Sequence, residues 1–592
     1  MQLMNQASGV PGNPQQQSRL APEGAAPGYQ RYLRAFERFV GKCLNGTGDF
    51  LEHRRWLCCL LIFVLYTPFV LVESHSNLFE HDEIFTIHIA KAPSLSRMIW
   101  LSREIDLHPP LHYLLQRASL QLPFPIWFTS RLPSMFAGII TIYGIFFYMA
   151  RRLGNLLGMV AACIFWASPV IVFAWWNRPY MLWICFLVLL LIAWEKATVP
   201  NRSLLSVGAV FLCSLFMISD YLVGIACLLP FVLSEIYRYY KQRKPDFLLW
   251  FALLSPALAG VYFMYQRQLQ QLGKNSFPPQ QMPSLDLANG MYIAMVDNFY
   301  FMLTVCIVFA CYFAVVRKED EPRPRRLKET EGVLLFSFLF LPLLLMVVGT
   351  FLHIQFWYRY GSCAVVAIAL LAPWNLYRRV RAVYPLAVMV IIFFFSYTSR
   401  YIFADFPHQG ASRSEGWHQR GRKPITLNDL DPMLPIVTAS PMTYIEMSDR
   451  EMPMITRRVY YLTDMQAELR YSGYTLFDNE AKIRGLLNLP SQTSQLEDFL
   501  VTHPRFYMIG TYTSSQDYLP RALADRGESL QYLGKVVSSY SDDDLYLVTV
   551  TAPPVQPALP AQPTPDATTQ YTATRTGGST SLGHTASAIH NK

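Results

Sequence analysis

Apolar residues in this chain come in long unbroken blocks, each ending at a short polar or basic connection, rather than in the alternations and stripes of a soluble fold. Each block runs to roughly 16 to 25 residues, close to the ~20 that a helix needs to cross ~30 Å of hydrocarbon. The blocks cover 57–72, 126–150, 155–174, 180–195, 203–218, 221–237, 247–265, 291–316, 332–352, 360–376 and 384–399. This pattern predicts a polytopic α-helical membrane protein of about 11 spans, because only a helix satisfies its own backbone within lipid. No small-residue cleavage site follows the first block, so it reads as a retained anchor, with 1–55 as a cytoplasmic amino-terminal tail.

After residue 400 the pattern changes. Short apolar runs at Ile436–Ala439, Val459–Leu462 and Phe506–Ile509 predict buried strands, and Tyr518–Arg526 predicts a helix. Lys535–Val537 and Leu545–Val550, around an acidic turn, predict a hairpin. Eleven spans leave the carboxyl end outside, so 401–552 is expected to be a small extracytoplasmic α/β domain. From Pro553 onward Pro, Thr, Ser, Gly and Ala dominate without an apolar period, which predicts a disordered tail over 553–592.

Composition agrees with the blocks: 52% of the 592 residues are hydrophobic and 15% charged. The formal charge of +9 has the sign that nucleic acid attracts, but the placement of the basic residues argues otherwise. With the amino terminus inside, Arg54-Arg55, Arg151-Arg152, Arg238 with Lys241, Arg243 and Lys244, Arg317 to Lys328, and Arg378-Arg379 with Arg381 all fall on the cytoplasmic side. The charge therefore records topology, with no nucleic-acid partner implied. Trp56, Trp194, Trp250 and Trp374 then mark inner ends of spans, and Trp127, Trp175, Trp176 and Trp357 outer ends. The ten cysteines lie in the tail or in spans and imply no disulfide framework. The bacterial inner membrane is the expected location.

The first external loop, 73–125, is too long for a turn and too short for an ordinary domain. Ile84, Ile87, His88 and Lys91, then Leu95, Met98 and Ile99, fit interfacial helices whose apolar faces dip into the membrane surface. On this platform lie Glu80-His81-Asp82-Glu83 and Asp106-Leu107-His108-Pro109-Pro110-Leu111-His112-Tyr113. Transfer of a sugar to a hydroxyl or amine needs a carboxylate for the acceptor proton and positive charge for the departing phosphate. Asp82, Glu83 and Asp106 are the acidic candidates, against a plain reading as solvated loop carboxylates. Asp82, Asp106 and His108 also permit a divalent cation, Mg or Mn. Arg131, Arg178 with Tyr180, and Arg359 with Tyr360 sit at outer ends of spans, against the charge bias. They either snorkel to headgroups or present guanidinium forks to a lipid phosphate. Asp220, between the fifth and sixth spans, is either a third acidic site or a helix cap.

The order of these motifs carries a resemblance. An acidic pair after the first span is followed by His108-Pro109-Pro110-Leu111-His112-Tyr113, Ser130-Arg131-Leu132-Pro133-Ser134, Arg151-Arg152-Leu153-Gly154 and Asn177-Arg178-Pro179-Tyr180-Met181-Leu182. Together they resemble family 39 glycosyltransferases of the GT-C class, which include protein O-mannosyltransferases and the aminoarabinose transferases of lipid A. The match is close over 56–200 and looser over the remaining spans to 400. It implies a polyprenyl-phosphate sugar donor, a lipid, glycan or protein acceptor, and inversion at the anomeric carbon. By position Asp82 matches the essential aspartate, with Glu83 beside it and Asp106 as a second acid. His108 stands where aminoarabinose transferases have a lysine before Pro-Pro. With Arg131, Arg178, Tyr180, Arg359 and Tyr360, it is expected at the donor phosphate. Two other classes share parts of the pattern: a multi-span transporter or flippase, and a non-catalytic scaffold with an external binding domain.

Overall fold

A computed structural model describes residues 28–77, 79–106, 108–265, 287, 290, 292, 327–352, 358–379, 383–400, 402, 425–473, 489–512, 514, 517–536 and 543–551. The expected tail at 553–592, nearly all of the span 291–316 and most of the basic segment Arg317 to Lys328 lie outside them.

The chain is a polytopic helical membrane protein carrying a small α/β domain. Among the described residues five helices are long and apolar enough to span a bilayer, and four more are apolar but shorter. In chain order the helices are α1 (Gly28–Glu52), α2 (Arg55–Ser76), α3 (His81–Ala90), α4 (Leu95–Leu101), α5 (Leu111–Ser119), α6 (Ile126–Thr129), α7 (Leu132–Leu153), α8 (Asn155–Ala167), α9 (Tyr180–Ala197), α10 (Leu204–Asp220), α11 (Gly224–Gln242), α12 (Phe247–Tyr265), α13 (Glu329–Leu352), α14 (Ser362–Arg379) and α15 (Val383–Arg400).

Several expected boundaries move for identifiable reasons. The block read as one span from 126 begins as a span only at Leu132, because α6 is a separate single turn and Arg131 between them is fully buried. The block 155–174 breaks at Ser168, where Pro169 cannot continue α8 and the chain tightens into a 3-10 turn over Pro169–Ala174. The amino-terminal tail contains α1, whose Leu44 and Leu51 are buried in the bundle. At its end Glu52 accepts the backbone N–H groups of Asn155 (3.0 Å) and Leu156 (2.9 Å), capping α8. Gly154, at φ +100°, makes that approach feasible: a Cβ there would stand 2.0 Å from the Glu52 carboxylate.

The bundle packs α7 against α8 and α9, α9 against α10, and α11 against α13. At one end of it, buried charged groups find partners. Arg152 reaches Glu195 (2.8 Å) and Glu331 (2.7 Å), and Glu235 accepts from the indoles of Trp194 (2.8 Å) and Trp250 (3.2 Å). These pairs lie at the bundle end opposite the 73–125 loop.

The α/β domain is built on a six-stranded sheet in the order β3-β2-β1-β4-β6-β5. Its strands are β1 (Ile436–Thr438), β2 (Val459–Thr463), β3 (Gln492–Gln495), β4 (Arg505–Ile509), β5 (Ser529–Lys535) and β6 (Asp544–Thr549). β1 to β4 are parallel, and β6 closes antiparallel on β4 and on β5; this hairpin has its first strand at Ser529–Lys535, ahead of the expected Lys535–Val537. Helices α16 (Pro441–Arg450), α17 (Pro453–Thr456), α18 (Met465–Ser472), α19 (Leu496–Thr502) and α20 (Leu519–Asp525) complete it. β1 is buried throughout, as a parallel central strand covered on both faces requires. β3, all Gln, Thr and Ser, escapes an apolar-run reading because it is a polar edge.

One expectation for the 73–125 loop is corrected. Ile84 of α3 does not dip into a membrane surface; with Ile89 it enters one apolar core with Tyr444, Ile445, Val459, Tyr461, Ile509 and Leu545 of the terminal domain. On α4, Leu95 and Ile99 stay exposed while Met98 is buried in the same core.

Candidate active site

The site begins at the amino terminus of α3. Glu80 caps this helix through a reciprocal box, its side chain accepting from the Glu83 backbone while Glu83 accepts from the Glu80 N–H at 3.1 Å. Three consecutive side chains then diverge, as successive helical positions must. His81 turns to the terminal domain, Asp82 to the loop interior, and Glu83 into the bundle.

Glu83 is fully buried and meets Arg131 by two bonds, Nε to Oε1 at 2.9 Å and Nη2 to Oε2 at 2.8 Å. Arg131 also donates to the carbonyls of Ser74 (2.6 Å) and Asn77 (2.7 Å), and Glu83 accepts from the Asn177 N–H (2.8 Å). Glu83, expected among the catalytic acids, and Arg131, expected at the donor phosphate, are paired with each other, and together they tie α2, α3 and α7 to the segment before α9.

Asp82 keeps its side chain 27% exposed, with His81 Nε2 at 3.4 Å on one oxygen and Arg178 Nη2 at 3.6 Å on the other. Asp106 arrives from a π-helical turn, Ser102–Asp106, that follows α4. Arg178 grips it at two points, Nη1 to Oδ2 at 2.7 Å and Nη2 to Oδ1 at 3.1 Å. The same guanidinium donates to Thr86 Oγ1 (3.0 Å) and to the Asp82 carbonyl (3.2 Å). The Tyr113 hydroxyl donates to Asp106, and His108 Nδ1 donates to its backbone carbonyl while standing 3.3 Å from Oδ1. The two prolines 109 and 110 end the loop and start α5, which is how His108 and Tyr113 come to bracket one carboxylate.

Electrostatics follow from this packing. Burial pushes both carboxyls up, but Arg178 and the neighbouring histidines outweigh it, holding Asp82 below its ordinary value and Asp106 well below. Burial and the Arg178 charge drive His112 down to about 3, so this ring is neutral. Both carboxylates are ionised at neutral pH.

Beside them lies an aromatic wall. His108 stacks on Tyr221 (5.5 Å between centroids, 12° between planes), and Tyr221 meets Tyr180 edge-on at 5.3 Å. Arg359 stands 5.1 Å over the Tyr180 ring, and Tyr360 approaches Tyr221 at 6.3 Å. Asp82, Asp106, His108, Arg178, Tyr180, Arg359 and Tyr360 are thus brought together, while Glu83 and Arg131 form a separate pair. Tyr113, Thr86 and Tyr221 also belong to the site. Tyr113 ends the motif around the double proline, whereas Tyr221 carries no sequence signal beyond following Asp220. Asp220 is fully buried at the carboxyl end of α10, and the residue at the N-cap of the following α11 is Val223.

The residues do not fit a divalent cation as they stand. Among the described residues no three His, Cys, Asp or Glu side chains gather as ligands, and the cation between Asp82 and Asp106 is Arg178 itself.

No protein-family model matches this sequence, and no curated protein matches it. Among solved structures the chain is similar to the crystal structure of ArnT from Cupriavidus metallidurans bound to undecaprenyl phosphate, at 13% identity over 83% of this chain and 98% of that one, with a TM-score of 0.48. It is similar to the apo state of the same protein at 13% identity, over 83% of this chain and 97% of that one, with a TM-score of 0.43. At these values the assignment of each side chain rests on the geometry described above.

Proposed function

We propose that the chain is an inverting glycosyltransferase that moves a sugar from a polyprenyl-phosphate donor to a hydroxyl or amine at the end of the bundle bearing the 73–125 loop. The observation that carries this reading is the Asp82–Arg178–Asp106 cluster: an ionised, partly exposed carboxylate beside a buried guanidinium, with a second arginine, Arg359, next to it. This assembly offers a proton acceptor and a seat for a phosphate within one small space.

In the proposed step the acceptor oxygen or nitrogen attacks the anomeric carbon from the face opposite the phosphate. The bond from that carbon to the phosphate oxygen breaks with its electrons going to the phosphate, and the acceptor proton goes to Asp82. Arg178 is largely committed to Asp106, Thr86 and Asp82, so its share is to keep the carboxylates ionised and aligned. Arg359, framed by Tyr180, Tyr221 and Tyr360, takes the charge developing on the phosphate. His108, held by Asp106 and stacked on Tyr221, closes the site between them. No step is routed through a metal.

The test is sugar transfer by purified protein from a polyprenyl-phosphate sugar, with donor binding measured separately. Asp82→Asn keeps size and loses the proton acceptor, so transfer should slow by about 10²- to 10⁴-fold while donor binding persists. Full turnover by the Asp82→Asn protein would remove this reading.

A further inference from the structure

Helix α3 has a second face that the proposed chemistry does not use. His81 and His88, seven residues apart, share that face and meet Glu446 and Asp449, three apart on α16 of the terminal domain. Glu446 Oε1 accepts the His81 backbone N–H at 3.2 Å and lies 3.6 Å from His81 Nδ1. The other ring nitrogen, Nε2, is 3.4 Å from Asp82 Oδ1. Farther along, His88 Nε2 is 3.1 Å from Asp449 Oδ1. Between these contacts Ile84 and Ile89 enter the terminal domain's core.

From this arrangement we infer that Glu446 is a positioning residue for sugar transfer: the terminal domain, through Glu446 and the His81 ring, fixes the rotamer of Asp82 opposite Arg178. The inference rests on Asp82 being the base. The ion pairs of the Asp82 carboxylate are with His81 on one oxygen and Arg178 on the other, so its orientation draws on both. The Arg178 side is anchored inside the bundle by Asp106 and Thr86. Among the described residues the His81 side is anchored by Glu446, since Glu80 turns back to cap α3. The terminal domain therefore completes the catalytic loop instead of merely resting on it. His88–Asp449 joins the same two helices but lies nearly two turns from Asp82, so it shares the docking role without the positioning one.

The experiment uses the full-length protein and measures kcat, donor KM and melting temperature. Glu446→Ala should lower kcat by about 10- to 100-fold, the scale of a small misplacement of a reacting group, with donor KM within about twofold. Glu446→Gln, which still accepts the His81 N–H, should recover part of that loss. Asp449→Ala, which weakens docking alone, should leave kcat within about twofold. In a His81→Ala background Glu446→Ala should cost far less, because there Glu446 has only its bond to the His81 backbone N–H left to lose. Equal losses of kcat in the Glu446→Ala and Asp449→Ala proteins, tracking melting temperature, would overturn the inference, as would independent, multiplying losses in the double variant. Should Glu446→Ala fail to fold, a parental kcat for Glu446→Gln together with a parental kcat for His81→Ala would overturn it equally. If Asp82→Asn is inactive while the Glu446 variants are parental, only this inference fails; if Asp82→Asn is active, the base assignment itself fails.

Discussion

Arg178 and Asp106, 72 residues apart in sequence, are joined by a two-point ion pair while the same guanidinium stands 3.6 Å from Asp82, so one buried cation serves two carboxylates. A single ammonium cannot span that geometry, and this sets the first prediction. Arg178→Lys should cost roughly 1 to 3 kcal/mol of transition-state stabilisation, about 5- to 150-fold in kcat/KM. Removing the charge with Arg178→Ala should also shift the pH profile. Asp82 is depressed in the folded protein, so its base form persists to acidic pH; without Arg178 its value rises and the acid limb of kcat/KM moves to higher pH. Unchanged kcat/KM and an unmoved acid limb would leave Arg178 as a structural residue.

Glu83 sits one residue from Asp82 and should behave in the opposite way. Its carboxylate is fully buried against Arg131, so Glu83→Gln leaves a buried guanidinium short of its counter-charge. The expected loss is about 3 to 5 kcal/mol of stability, read as a lower melting temperature. Folded Glu83→Gln protein, recovered at low temperature, should retain transfer. Normal stability with abolished transfer would return the catalytic role to Glu83.

A third prediction concerns Asp517 in the terminal domain. Burial pushes its carboxyl up to about 6, opposed by the N–H from Thr511 (2.7 Å) and reinforced by Asp543. A raised acid contributes stability that is fully present below its unfolded value near ~3.9 and is lost as pH rises through about 6. The terminal domain should therefore lose about 2 to 3 kcal/mol from this group between pH 4 and pH 8. Hydrogen exchange of β1 and β4 amides across that range measures it, and Asp517→Asn should flatten the slope. A slope unchanged by the substitution would locate the titration elsewhere.

Orientation is the fourth. Basic residues at the Arg54, Arg151 and Arg238 end of the bundle predict that this end faces the cytoplasm. A reporter fused after Lys328 should be cytoplasmic and one fused after Val550 external. An external reporter at Lys328 would invert the topology and move the proposed chemistry to the other side.

Much of this protein is legible in its chain order. Long apolar blocks announce helices that need lipid, because twenty such residues have no other way to hide both backbone and side chains. Likewise Ile436–Thr438, Val459–Thr463 and Arg505–Ile509 became strands where short apolar runs said they would, since burial on both faces is written into each run. Asp82, Asp106 and Arg178 were also in view from their motifs. What pattern does not contain is partnership between distant segments. Glu83 and Asp82 are adjacent carboxylates of one helix turn, and only contacts 48 and 96 residues away, to Arg131 and to Arg178, make one a strut and leave the other partly exposed. The apolar face of α3 reads as a membrane-surface helix until a domain more than 350 residues later covers it, because an apolar stripe demands burial without naming its cover. Local sequence determines which residues must leave water; the tertiary structure decides what meets them there, and that choice separates the proposed base from its neighbour.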